Sequence, residues 1–215
     1  MSNAEKIGFI RNYITEIVKG HMVGDIKRLL NIKVIPGTSH GNCNFPIVLY
    51  VFSCMDFLGY LVAIEEYSLY GRDTEKRVMA YIDQMFSYEA KKEIEPHRKW
   101  FVDTFRHGLS HEFFPKMAGV SRTNAKLMTL RPDGYWVLDA DILARMFIQS
   151  TDNLVKKTED EIFCIDIYER NNNILTANTR NEDSLQSKQK FPHKLGTTIP
   201  EYGYGGGATG PTYKP

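Results

Sequence analysis

Apolar residues recur at helical spacing in the first part of this chain. From about residue 4 to residue 30, isoleucine, leucine and valine return at steps of three and four residues, for example at Ile7, Ile10 and Ile14. This spacing places the apolar side chains on one face and predicts an amphipathic helix. Gly20 and Gly24 interrupt the pattern, so a bend or break is expected there.

Further helices are predicted along the next eighty residues. Pro46 suits the first turn of a second, almost wholly apolar helix that is expected to end near Tyr67. Asp73 or Thr74 is expected to cap a third helix. Pro96 is expected to open a fourth helix, which ends near residue 113 because a proline follows at position 115.

The pattern changes after the fourth helix. Two short strands are predicted, at residues 126–131 and 135–138. The residues between them, Pro132-Asp133-Gly134, are typical of a turn, so a β-hairpin is predicted over about residues 126–138. Another helix is expected from Asp139 or Asp141, and a short one within residues 159–175. The predicted fold is mainly α: a helical bundle over residues 1–170, with a small β-hairpin insertion after the fourth helix.

Polar residues dominate the C-terminal part of the chain. Residues 171–215 end in a stretch that contains five glycines and two prolines from Gly203 onward. Such a composition buries too little apolar surface to order itself. Residues 171–215 are therefore predicted to be a polar, flexible tail.

The apolar segment from Pro46 to Ile64 has two interpretations, a membrane span or a buried core helix. Asp56 lies in its middle and would cost roughly 3 kcal/mol at the centre of a bilayer. Glu65 and Glu66 follow it directly, with no basic anchor close by. A core helix, and no association with a membrane, is therefore the preferred interpretation.

Composition and charge limit the class of protein. The formal net charge is +1, so any attraction to nucleic acid must come from a local patch. The three cysteines, at positions 43, 54 and 164, form no C-x-x-C pair, which argues against a zinc finger or a disulfide framework. The N-terminus lacks the apolar stretch and cleavage site of a signal peptide. A cytoplasmic location is expected.

The fourth helix ends in the sequence Arg106-His107-Gly108-Leu109-Ser110-His111, which is the sharpest chemical signature in the chain. In an α-helix His107 and His111 share a face, whereas Arg106 and His111 lie about 140° apart. The guanidinium group matches two phosphate oxygens, and imidazole transfers protons near neutral pH. The same residues at a helix C-terminus also suit a purely structural interpretation, because cations interact favourably with the helix dipole.

The motif resembles that of the HEPN superfamily (higher eukaryotes and prokaryotes nucleotide-binding): an arginine, a polar residue, three further residues and a histidine at the end of a helix. The resemblance covers Arg106, His107 and His111 and, more loosely, the helices of residues 1–160. It implies a bundle that dimerises face to face and joins two motifs in one composite site. Many members are metal-independent endoribonucleases of toxin, antiphage or RNA-processing systems, whereas others only bind RNA or act as scaffolds. The Phe-Phe-Pro-Lys sequence that follows at residues 113–116, and then the hairpin, depart from the pattern.

Residues around the motif suggest supporting roles. Nine lysines and arginines face four acids between Lys91 and Arg131, which favours contact with RNA. Arg98, Lys99 and Lys116 are the expected substrate-binding residues. Asp56 is costly among apolar residues unless it is paired. It either pairs with Arg106 or a motif histidine, or lies on a wetter helix edge or against a tyrosine.

The sequence thus predicts a cytoplasmic, homodimeric endoribonuclease, with an antitoxin as a further partner if it belongs to a toxin system. His111 is the expected acid or base, Arg106 holds the scissile phosphate and His107 assists. No cofactor is expected. The His107-x-x-x-His111 pair is not assigned to zinc, since it lacks the glutamate of the His-Glu-x-x-His pattern and an obvious third ligand. The alternative is a non-catalytic helical protein that binds RNA or a nucleotide, or acts as a scaffold.

Overall fold

A computed structural model describes residues 1–35, 42–63, 73–112, 115–116, 118–123 and 125–188, apart from the side chains of residues 173 and 176–188. Two compact units are present, Met1–Leu175 and Thr176–Pro215. The predicted mainly helical fold is confirmed. The helices are α1 (Asn3–Tyr13), α2 (Val23–Leu30), α3 (Asn44–Val62), α4 (Thr74–Met85), α5 (Tyr88–Ile94), α6 (Arg98–Phe101), α7 (Ala140–Lys157) and α8 (Glu161–Lys188).

The first predicted helix is continuous from Asn3 to Leu30. Ser2 and Glu5 form a reciprocal capping box at its start, in which each side chain bonds the backbone N–H of the other residue. No break occurs at the glycines, since both lie inside helix, and the alternative of a bend stays a prediction. The irregularity takes another form: Ile14–Met22 is a π-helical segment between α1 and α2.

Helix α3 forms the centre of the core. By length and composition it could cross a membrane. Most of its apolar side chains are buried within the protein, among them Val51, Phe52 and Met55, which are fully inaccessible. Pro46 lies in its first turn, as predicted, but the helix ends at Val62 rather than near Tyr67.

Helix α4 begins where the sequence predicts, with the Asp73 side chain accepting a hydrogen bond from the backbone N–H of Lys76. The predicted fourth helix begins earlier than Pro96. Ser87 caps α5, a short 3₁₀ turn follows at Glu95–His97, and α6 leads into a second π-helical segment, Val102–Glu112. We call Val102–Glu112 the motif segment.

The predicted hairpin is confirmed, and a third strand joins it. Strand β2 (Met128–Leu130) pairs antiparallel with β3 (Trp136–Asp139), with Thr129 opposite Val137. At the turn, Gly134 has a φ of 83°, a conformation that glycine adopts without steric cost. Strand β1 (Ala118–Ser121), which the sequence pattern did not reveal, pairs parallel with β3 and gives the order β1-β3-β2.

The last two helices follow the sheet. Asp139 caps α7 through a hydrogen bond from the backbone N–H of Ile142, as predicted. Helix α8 runs from Glu161 to Lys188, so the short helix expected within residues 159–175 is longer. The predicted boundary at residue 170 falls inside this helix, and residues 171–188 are helical. The rest of the predicted tail, residues 189–215, lies outside the described residues.

Candidate functional site

The motif segment is held against the core by its apolar side. Phe105 is fully buried and Leu109 almost so. The Phe105 ring packs edge-on against Phe101 with 5.8 Å between ring centroids, and Phe101 in turn lies 5.2 Å from Phe52 of α3. This packing turns Ser110 and His111 to the exposed side and leaves Arg106 and His107 partly buried.

Arg106 is positioned by two neighbours. One terminal nitrogen donates a hydrogen bond of 2.9 Å to the hydroxyl of Ser110, which itself donates to the backbone carbonyl of Arg106 at 2.7 Å. The other terminal nitrogen lies 3.7 Å from Oδ2 of Asp56. The Arg106 side chain is 21% exposed. Its Nε is buried and has no hydrogen-bond partner among the described residues.

Asp56 is paired, as the cost of burying a carboxylate requires. Its Oδ1 lies 2.5 Å from Nε of Arg77, and its Oδ2 accepts a hydrogen bond of 3.4 Å from the Thr74 hydroxyl. Only 15% of the Asp56 side chain is exposed. Arg106, which the sequence suggested as a partner, does pair with Asp56, but Arg77 of α4, which the sequence did not suggest, lies closer. Asp56 and Arg106 are 50 residues apart in sequence, and packing between α3 and the motif segment brings them together.

The two motif histidines stack on each other. Their ring centroids are 5.9 Å apart and the planes differ by 11°. His107 is partly buried and His111 is exposed, so neither imidazole is a core side chain. The i→i+5 hydrogen bonding of a π-helix brings residues five apart closer to one face than an α-helix does. The α-helical separation of about 140° expected for Arg106 and His111 therefore does not apply to this segment.

Two of the three residues expected to bind substrate take part in ion pairs. Both terminal nitrogens of Arg98 bond the carboxylate of Asp83, at 2.6 and 2.5 Å. Nζ of Lys116 lies 3.0 Å from Asp103, and the hydrogen bond to this carboxylate raises the pKa of Lys116. Lys99 is exposed. The positive balance of the sequence around the motif is thus partly neutralised in the fold.

Other residues at the site were not assigned from the sequence. Ser110 follows Arg106 by four residues, a spacing that indicates contact along a helix and was therefore a usable signal. Arg77 and Thr74 reach Asp56 only because α3 and α4 pack closely, and no local pattern indicates that. Among the described residues, no group of three or more histidine, cysteine, aspartate or glutamate side chains is arranged to hold a metal ion.

Comparison with family models, with curated proteins and with solved structures finds no match to this chain. The functional argument therefore depends on the motif and its surroundings.

Proposed function

We propose that the protein is a HEPN-like, metal-independent endoribonuclease that acts as a homodimer. The observation that carries the proposal is the arrangement of the motif segment. It holds an arginine beside a paired carboxylate, and two stacked imidazoles one and five residues further along, of which the second is exposed. A permanent cation next to titratable groups is the combination that cleavage of a phosphodiester without metal requires.

The reaction follows from the chemistry of these groups. A neutral imidazole takes the proton of the ribose 2′-hydroxyl, and the 2′-oxygen attacks the adjacent phosphorus. The bond to the 5′-oxygen breaks, and this oxygen takes a proton from a second, protonated imidazole. The products are a 2′,3′-cyclic phosphate and a 5′-hydroxyl. His111 is the main acid or base, and His107 assists or positions the phosphate.

Arg106 stabilises the charge that develops on the phosphate oxygens. Its contacts suit this role because the ion pair with Asp56 is long, at 3.7 Å, while Asp56 is bound more closely by Arg77. Asp56 therefore orients Arg106, and because Asp56 is shared with Arg77 it does not fully neutralise the charge of Arg106. In the proposed dimer, two copies of the motif segment face each other and share one site.

The proposal is tested by cleavage of single-stranded RNA with a chelator present. His111→Ala removes the exposed imidazole of the motif and is expected to abolish cleavage. His21→Ala is the matched control, because His21 is also an exposed histidine on a π-helical segment but lies outside the motif. Absence of cleavage by the unmodified protein, or undiminished cleavage by His111→Ala, would contradict the assignment.

One observation favours a second function, a non-catalytic protein that binds RNA or a nucleotide. Arg106 already has a carboxylate partner, and Arg98 and Lys116 are also paired. A protein of this kind gives no cyclic-phosphate product in the cleavage test, but it binds the same RNA when affinity is measured directly. Its affinity would fall in Arg106→Ala and stay unchanged in His111→Ala.

A further inference from the structure

A groove of about 450 Å³ lies between α2 and α7, outside the candidate site. Its two walls carry hydrogen-bond donors at matching helical spacing. Lys27 and Asn31, four residues apart, line one wall at the C-terminal end of α2, and Arg145 and Gln149, also four apart, line the α7 wall. Residues four apart project from the same face of a helix. All four side chains are exposed.

These four side chains are not engaged elsewhere in the described part of the chain. Asp141 precedes Arg145 by one helical turn and would be its natural partner. It is instead bound by Arg122, whose Nε lies 2.6 Å from Oδ1 of Asp141. Neither Lys27 nor Arg145 makes an ion pair with any described residue. Both cations are therefore available to a ligand.

The acidic residue that lines the groove is already neutralised. Asp152 accepts an ion pair of 2.6 Å from Lys19. With Asp152 paired to Lys19, the remaining charged residues of the lining, Lys27 and Arg145, are both positive. The apolar lining residues, Leu30 and Ile148, are only partly exposed. The groove thus offers cations and amide N–H donors, and none of its apolar side chains is fully exposed. Such a surface is suited to bind phosphate oxygens and is not suited to insert into a bilayer.

The walls are held together by a buried arginine. The side chain of Arg122 is 2% exposed, and besides Asp141 it donates to the backbone carbonyls of Leu30 and Ile32 at 2.8 and 3.0 Å. It therefore ties the end of α2 to the first turn of α7. A groove whose walls are fixed before binding loses less entropy when a ligand docks.

We infer that this groove binds the phosphate backbone of single-stranded RNA and so forms a second contact with the substrate, away from the motif segment. The choice of RNA rests on the proposed function, whereas the choice of a phosphate backbone rests on the donors and charge of the groove. Contacts to phosphates position a nucleic acid without reading its sequence. The contact is therefore expected to be independent of RNA sequence.

The test measures the affinity for a short fluorescent single-stranded RNA by anisotropy over a range of salt concentrations. All proteins carry His111→Ala, so that the RNA remains intact. The groove variant is Lys27→Gln with Arg145→Gln. The matched control is Lys156→Gln with Lys157→Gln, which removes the same charge from two exposed lysines that neither line the groove nor lie in the basic stretch around the motif.

Loss of two phosphate contacts is expected to reduce the slope of log affinity against log salt by roughly 1.4, about 0.7 for each contact. The dissociation constant at low salt should rise by on the order of tenfold. The control pair should change neither quantity appreciably. Equal behaviour of the two pairs, or no binding of RNA by the parent protein, would overturn the inference.

The binding test of the groove and the cleavage test of the proposed enzyme can fail independently. If the unmodified protein does not cleave RNA but the groove variant binds RNA more weakly than the control, the groove stands and the proposed enzyme does not. If the protein cleaves RNA and the two variant pairs bind it equally, the enzyme stands and the groove does not.

Discussion

Buried charges account for the clearest residue-scale features of this protein. The cost of leaving a carboxylate unpaired among apolar residues left two interpretations of Asp56, a charged partner or a position on a wetter helix edge or against a tyrosine. The structure supplies Arg77 and Arg106. Arg122 shows the same principle more strongly, since its side chain is only 2% exposed and bonds one carboxylate and three backbone carbonyls. Nothing in its local sequence distinguishes Arg122 from an exposed arginine.

Replacing Arg122 by methionine is expected to destabilise the fold by about 3–5 kcal/mol, because Asp141 and the carbonyls lose their donor together. Urea denaturation followed by circular dichroism measures the change. Arg131→Met is the control, since Arg131 pairs with Asp133 on the surface and is 60% exposed. Surface pairs of this kind contribute little. Equal stability of the two variants would show that the Arg122 contacts do not hold the fold.

At the scale of elements, most helices are predictable from the sequence and their internal geometry is not. Periodicity and caps located the starts of α4 and α7 to within two residues, since Asp73 or Thr74 and Asp139 or Asp141 were expected and Asp73 and Asp139 are the caps. The two π-helical segments carry no such signal. Strand β1 was also missed, because four residues that pair only with a later strand show no pattern of their own.

The packing of α3 against α4 depends on Gly59. A Cβ atom at this position would lie 1.9 Å from the backbone oxygen of Arg77. Gly59→Ala is therefore expected to separate the helices, to lower stability by more than about 3 kcal/mol and to disturb the Arg77–Asp56 pair. Such a clash could not be read from sequence, since it involves a residue of another helix.

Gly24→Ala is the matched control for this substitution. Gly24 lies inside α2, and a Cβ atom there would meet nothing within 4 Å. Alanine should raise stability by about 0.5–1 kcal/mol, because glycine is the more flexible residue in the unfolded chain. Thermal unfolding of both variants gives the comparison. A Gly59→Ala protein as stable as the parent would contradict the close approach of the two helices.

At the scale of the whole molecule, the number of basic residues in a stretch of sequence is a poor guide to which of their charges are unpaired. The excess of basic residues between Lys91 and Arg131 directed attention to Arg98 and Lys116, and both are paired with carboxylates in the fold. Lys27 and Arg145 lie in ordinary stretches of sequence, yet the fold brings them together without an acidic partner among the described residues. Pairing, rather than the count of charges, decides which cations are available.

The proposed composite site requires two chains, so the assembly is testable apart from the chemistry. Light scattering after size-exclusion chromatography should give a mass near twice that of the 24.7 kDa chain. Cleavage per chain should also fall on dilution below the dissociation constant of the dimer. A monomeric mass together with cleavage that is independent of concentration would exclude a shared site.

The sequence by itself determined the helical class, the hairpin and the motif from Arg106 to His111, and it favoured a core helix over a membrane span for the apolar segment around Asp56. These depend on periodicity, turn residues and caps, which act between residues close in the chain. Only the tertiary structure decided which charges are paired, that α3 and α4 meet at Gly59 and Arg77, and that the motif segment is π-helical. The charge pairs and the close helix approach depend on contacts between residues far apart in sequence. The energies of those contacts depend on how deeply the residues are buried and on the distances between them, and neither can be predicted from a short stretch of sequence.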